Sequence, residues 1–119
     1  MILVDTSVWI DHFRRNDPRL LSLLDDRGVL THPAVVGELA CGTLPLRSGT
    51  LAYLQSLPQT SSIADAEETI FVIESRNLWG KGIGWTDAQL VASALISGCK
   101  LWSHDKQLHQ VAIALRIAY

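Results

Sequence analysis

MILVDTSVWID, residues 1–11, opens with four apolar residues that run straight into a carboxylate. Ile2–Asp5 reads as a short buried strand, and Asp5 stands at its end. Thr6 and Ser7 follow, and a helix is expected from about Val8 with Ser7 as its N-cap. An ionised carboxylate against apolar surroundings is costly unless something compensates it. The strand therefore raises two questions: what sheet it joins, and what Asp5 meets.

Working outward, β-like and helix-like runs alternate. Asp17-Pro18 punctuates, Arg19–Leu24 is a short helix, Gly28 ends it, and Val29–Thr31 is a second strand. Pro33 suits the first turn of a helix carrying Ala34–Ala40, which stops near Gly42. Leu51–Leu57 is helical and closed by Pro58. Thr60–Ile63 is a weak strand, and Ala64–Leu78 is a helix with acids in its first turn, as the macrodipole favours. A glycine-rich break, Trp79–Gly84, precedes Thr86-Asp87-Ala88-Gln89, which has the form of a capping box with Thr86 as N-cap. Its helix, Leu90 to Ser97, ends at Gly98. Lys100–Trp102 is a strand, Ser103-His104-Asp105 a turn, Lys106–Gln110 a short helix, and Val111 to Ala118 a last strand or helix. Alternation of this kind implies an α/β fold, a parallel sheet with helices on both faces.

The chain has 119 residues, one domain (1–119) by its length. Folding a chain of this size buries roughly two-thirds of its unfolded surface. Nearly half of the residues (48%) are hydrophobic, which leaves apolar surface for a partner. No apolar run approaches ~18 residues, so no membrane span is expected. A secretory leader is not expected either. Cys41 and Cys99 form no CxxC pair and read as small, reduced, mostly buried side chains of a cytoplasmic protein. A net charge of −2 excludes broad electrostatic coating of nucleic acid. It does not exclude a nuclease, because bound cations supply the positive charge that phosphate needs.

Ligands of open α/β sheets bind beyond the carboxyl ends of the strands. Asp5 closes the first strand and Asp105 follows the Lys100–Trp102 strand. Asp87 begins a helix just before that strand, and Glu38 lies in the helix after the second strand. Four carboxylates on one sheet edge repel one another by a few kcal/mol per close pair at an effective dielectric near ~20. A hard divalent cation removes the conflict, and Mg²⁺ and Mn²⁺ prefer carboxylate and water oxygens. Such an ion polarises a phosphodiester and acidifies bound water. Each acid also has a plainer reading. Asp5 or Asp105 would be a turn or capping residue, Asp87 would answer the macrodipole, and Glu38 would lie on a solvated helix face. Arg14 and Arg15, on the helix after Asp5, would steer RNA or simply face solvent.

The run LVDTSVWID resembles the start of PIN-domain proteins, specifically the VapC-type toxin ribonucleases. VVGELACG with Glu38, TDAQLVASA with Asp87, and LWSHDKQL with Ser103 and Asp105 resemble the family's later acidic motifs, in order and across the whole chain. The resemblance implies a three-layer sandwich around a parallel sheet of about five strands. It also implies a Mg²⁺- or Mn²⁺-dependent endoribonuclease acting on RNA, commonly a homodimer, and inhibited by a cognate antitoxin in a hetero-oligomeric complex. Carried over by position, Asp5, Glu38, Asp87 and Asp105 form the acidic metal site. Thr6 or Ser7 orients water or a phosphate oxygen, Ser103 supports the site, and Lys106 joins Arg14 and Arg15 as an RNA contact. Some relatives carry a further acid two residues after the last Asp, where this chain has Gln107, so the number of metal ions stays open.

Other readings are weaker. Ser103-His104-Asp105 holds triad letters in adjacent positions that do not make triad geometry. His12, His32, His104 and His109 show no zinc-ligand spacing with the cysteines. Gly80, Gly82 and Gly84 lack the preceding strand that dinucleotide binding needs and read as a loop beside the substrate. Trp9 and Trp102 read as packing residues, and Trp79 or Trp85 as packing or as a base-stacking surface. A phosphoacceptor receiver domain would want an acid pair before Asp5, and a haloacid-dehalogenase-type phosphatase would want Asp where Ser7 stands. The alternative from another class is a catalytically inactive PIN-like module that grips a protein through its apolar helices.

Overall fold

The computed structural model describes residues 1–119. In chain order the elements are β1 (Ile2–Val4), α1 (Thr6–Arg14), α2 (Pro18–Asp25), β2 (Val29–Leu30), α3 (Pro33–Cys41), α4 (Arg47–Ser56), α5 (Ala66–Ser75), α6 (Trp85–Ser97), β3 (Lys100–Trp102) and α7 (Lys106–Ala114). The strands form one parallel sheet in the order β2-β1-β3. Ile2 pairs with Val29 on one side and Lys100 on the other, and Val4 pairs with Trp102. The chain leaves β1 toward β2 and then crosses to the opposite side for β3. The winding therefore reverses between β1 and β3, the place where open α/β sheets collect ligands. Asp5 lies at that point, its N–H bonding the Trp102 carbonyl at 2.9 Å.

The expectation of about five strands is corrected to three. At the two outer positions stand single parallel bridges, Thr31 with Gln59 and Leu101 with Ala118. Each flank turns away after one rung. Thr60 Oγ1 donates to the Ser62 carbonyl and bends the chain toward α5. On the other side α7 runs on to Ala114, and a left-handed Arg116 (φ 61°) turns the chain so that only Ile117–Tyr119 meets Leu101, whose N–H bonds the Ile117 carbonyl at 2.7 Å. The last segment is thus mostly helix, and Thr60–Ile63 is not a strand.

Strands this short are held by packing more than by pairing. Leu3, Val4 and Leu101 are fully buried, each contributing about 1.5–3 kcal/mol, against about 1 kcal/mol net for a backbone hydrogen bond. They join Val8, Trp9, Leu20, Val35, Leu54, Leu90 and Leu108 in one core. α1 packs on α3, α3 on α4 and α6, and α5 on α6. A buried polar hub ties three of these together. His32 caps α3, its Nδ1 accepting the Ala34 N–H at 3.0 Å, and its Nε2 meets Ser93 Oγ of α6 at 3.0 Å. Ser93 Oγ in turn accepts the Ala64 N–H at 3.0 Å. Because Nδ1 accepts, the ring proton sits on Nε2 and the imidazole is neutral. Burial lowers its pKa in keeping with that.

Three local expectations change. The N-cap of α1 is Asp5, not Ser7, and its side chain makes no capping bond. The N-cap of α6 is Gly84, not Thr86, and Asp87 at the third helical position bonds back to the Gly84 N–H. Cys41 is exposed at the end of α3 rather than buried, while Cys99 is half-buried; both are free thiols.

Candidate active site

Asp5 is buried, and its Oδ2 accepts two hydroxyl protons, from Ser7 at 2.7 Å and from Ser103 at 2.8 Å. A hydroxyl has one proton and can accept as well. Ser7 Oγ and Ser103 Oγ, 3.3 Å apart, are therefore left as acceptors, and the backbone N–H groups of His104 and Asp105 fill them at 3.0 Å each. All donors point toward Asp5, which is thereby held as an acceptor. This knot closes the gap between the ends of β1 and β3.

The other three acids are tied in a similar manner. Glu38, exposed on α3, accepts the Thr6 hydroxyl through Oε1 at 2.8 Å. Asp87 accepts the Gly84 N–H through Oδ2 at 3.4 Å. Asp105 caps α7, its Oδ1 accepting the Leu108 N–H at 2.9 Å. In each of the four, one oxygen is bonded to the scaffold and the other has no hydrogen-bond partner in the protein. The capping reading of Asp105 is thus met by one oxygen only, and Asp5 caps nothing with its side chain.

The four share one electrostatic neighbourhood. Burial raises the Asp87 carboxyl above its ordinary range; the Gly84 N–H opposes this, and the charges of Asp5, Asp105 and Glu38 push it further up. No three of these side chains close on a single point tightly enough to form a complete ion cage by themselves. The donor set is nevertheless all carboxylate oxygen, mutually repulsive and half uncommitted, which suits a hard divalent cation that keeps part of its water shell.

Of the cations expected to meet RNA, Arg14, Arg15 and Lys106 are all exposed, and none takes part in an ion pair. Arg14 lines a groove of about 370 Å³ with Ile10, Phe13, Leu39 and Leu44. Trp9 and Trp102 are buried, whereas Trp79 and Trp85 are exposed. One pair beside the site escaped the reading of the sequence: His104 Nδ1 lies 2.6 Å from Asp11 Oδ2 and fastens the β3–α7 turn to α1. Asp11 shares a helix face with Ser7, four residues before it, but its partner lies 93 residues away in sequence, beyond any local pattern.

The PIN domain family profile matches residues 2–114. Two proteins of Mycobacterium tuberculosis, both named Ribonuclease VapC32 and from strains CDC 1551 and H37Rv, are each 45% identical to this chain over 109 residues. The matched stretch is 91% of this chain and 87% of each relative. The parallel α/β sheet and a likeness that runs nearly end to end agree, and the chain belongs to the PIN domain family, in its VapC-type branch.

Proposed function

We propose that the chain is a metal-dependent endoribonuclease and the toxin half of a toxin–antitoxin pair. One observation carries this reading: four acids around the reversal of the sheet each commit one oxygen to the scaffold and leave the other free. Caps elsewhere, such as Asp17 and Asp65, also use one carboxylate oxygen; what sets these four apart is that the charges of Asp5, Asp105 and Glu38 all act on Asp87. The printed name of the VapC32 relatives supports it.

Asp5, Glu38, Asp87 and Asp105 would hold Mg²⁺ or Mn²⁺, directly or through water. When bound, the ion supplies charge stabilisation to a phosphodiester and a more acidic water. Ser7 and Ser103 hold Asp5 through Oδ2 and leave Oδ1 without a partner in the protein. Thr6 does the same for Glu38. Asp87, whose proton is held unusually tightly, must lose it before it can serve as a ligand. Arg14, Arg15 and Lys106 bring RNA toward the acids.

The partners we propose are RNA, a cognate antitoxin and a second copy of the chain. The groove lined by Ile10, Phe13, Leu39 and Leu44 would take an apolar antitoxin segment, and a cation of that segment would answer the carboxylates. The test is direct: purified protein incubated with total RNA in Mg²⁺ or Mn²⁺, with and without chelator, followed by mapping of new 5′ ends. Cleavage that needs the ion and is lost in Asp5→Asn supports the reading; unchanged cleavage by Asp5→Asn overturns it. An inactive protein-binding module would give no cleavage and still capture its partner.

A further inference from the structure

A cleft of about 450 Å³ opens between the chain after α5 and the outer face of α7, lined by Arg76, Asn77, Lys81, Gln107 and Gln110 over a floor that includes Leu78 and Val111. Both floor residues are buried and help fix the walls. Neither Arg76 nor Lys81 takes part in an ion pair, and neither donates a side-chain hydrogen bond within the protein. In a chain of net charge −2, two cations without partners, with Asn77 beside them and Gln107 and Gln110 on the α7 wall, put several donors into one cleft.

The cleft adjoins the acids through both of its walls. Gln107 lies two residues beyond Asp105 on α7, and Lys81 lies in the loop that leads to Gly84 and Asp87. The loop presses on α7 at a definite point: Gly82 is left-handed (φ 79°), and a Cβ there would fall 2.8 Å from Gln107 Cγ. Only glycine permits that approach. The loop's conformation and the seat of Gln107 are thus set together.

We propose that this cleft is an RNA-holding subsite beside the acidic centre: Arg76 and Lys81 take phosphates of the single strand flanking the scissile bond, and Gln107 and Gln110, with Asn77, read a base edge. Lysine and arginine at phosphates give affinity without sequence information. Glutamine and asparagine amides match the donor–acceptor edges of unpaired bases. The proposal rests on the ribonuclease reading above, and the experiment separates the two.

The probe is a fluorescein-labelled single-stranded RNA of mixed sequence. Binding by anisotropy over a salt series and cleavage in Mg²⁺ are measured for wild type, Arg76→Met, Lys81→Met, the double variant Arg76→Met/Lys81→Met, Gln107→Ala and, as a single loss of charge elsewhere, Lys100→Gln. Thermal unfolding checks each fold. An exposed charge contact is worth up to about fivefold, so the double variant should bind about tenfold more weakly. Its salt slope should fall by about 1.4, two single-strand phosphates, with kcat within about twofold of wild type. Gln107→Ala should keep the slope and shift the relative cleavage of different sequences by at least about fivefold. Lys100→Gln should change neither. If wild type binds RNA without cleaving it while the double variant binds more weakly, the catalytic reading falls and the subsite stands. Unchanged slope and affinity in the double variant overturn the subsite alone. Absence of any RNA binding by wild type overturns both. A double variant with wild-type RNA behaviour but an altered oligomeric mass assigns the cleft to a protein contact and overturns the proposal.

Discussion

Ser103→Ala removes one oxygen from the knot around Asp5, and its cost follows from the partners of that oxygen. Ser103 Oγ donates to a buried carboxylate and accepts the Asp105 N–H. A hydrogen bond to a charged group is worth about 1.5–3 kcal/mol net, and a buried N–H left without a partner costs about 1–3 kcal/mol. Asp105 itself is exposed, so water can reach part of that second loss, and a total of about 2–4 kcal/mol is expected. A domain of this length has a stability of order ~6–18 kcal/mol, so the variant still folds. Urea unfolding reads the change as a lower midpoint with an unchanged slope. Ser7→Ala breaks the parallel arm, and because both hydroxyls serve one carboxylate oxygen, the double variant should not be additive. Losses below about 0.5 kcal/mol in Ser103→Ala, or strict additivity with Ser7→Ala, would refute the account of the knot.

Further outcomes are expected. Asp5→Asn should abolish most cleavage while leaving the far-ultraviolet circular dichroism of the wild type. His32 has a folded pKa lowered by burial, so its contribution to stability is complete above the unfolded value near ~6.5. It is lost as pH falls below that, at up to about 1.4 kcal/mol per pH unit; His32→Asn should flatten this slope in a urea series. Asp87 shifts the opposite way. The metal-free protein should lose stability as pH rises from about 4 through the raised value, and Asp87→Asn should remove that fall and stabilise the neutral apo form. Mn²⁺ at about 100 times its Kd should raise stability by about 2.7 kcal/mol in wild type, an increment that EDTA removes and Asp87→Asn largely lacks.

Much of the fold was legible because the opening strand states it. A buried strand ending in Asp5 needs a neighbour on each side, and the runs around Val29 and Leu101 supply them. Outer strands were not legible: a single bridge leaves no period-two pattern, and the chain bends just after Gln59 and just before Ala118. The capping of α6 was misread by two residues because Thr86 with Gln89 has the form of a capping box, whereas Gly84, about as good an N-cap as Thr, takes that place and Asp87 bonds back. Cys41 was expected inside on residue type alone, but the end of α3 turns it outward. At the site, Asp5, Asp87 and Asp105 stand out as candidates because strand ends and helix starts are visible in sequence, and Glu38, inside α3, stands out as an acid among apolar neighbours. The hydroxyl knot and the Asp11–His104 pair depend on residues about 95 positions apart meeting across the sheet, which no local pattern records.

The two single bridges have a consequence for how the chain meets other chains. Open strand edges are templates for strand addition, domain exchange and fibrils. Here Thr31 is already closed by Pro58 and Thr60, and Leu101 by Ile117 and Tyr119. Little ladder is left on either flank for a foreign strand to extend. Self-association and partner capture must therefore run through helical surfaces and side chains, where specificity can be set residue by residue. In the inhibited complex proposed above, such blunted flanks would keep the stored form from seeding insoluble polymer.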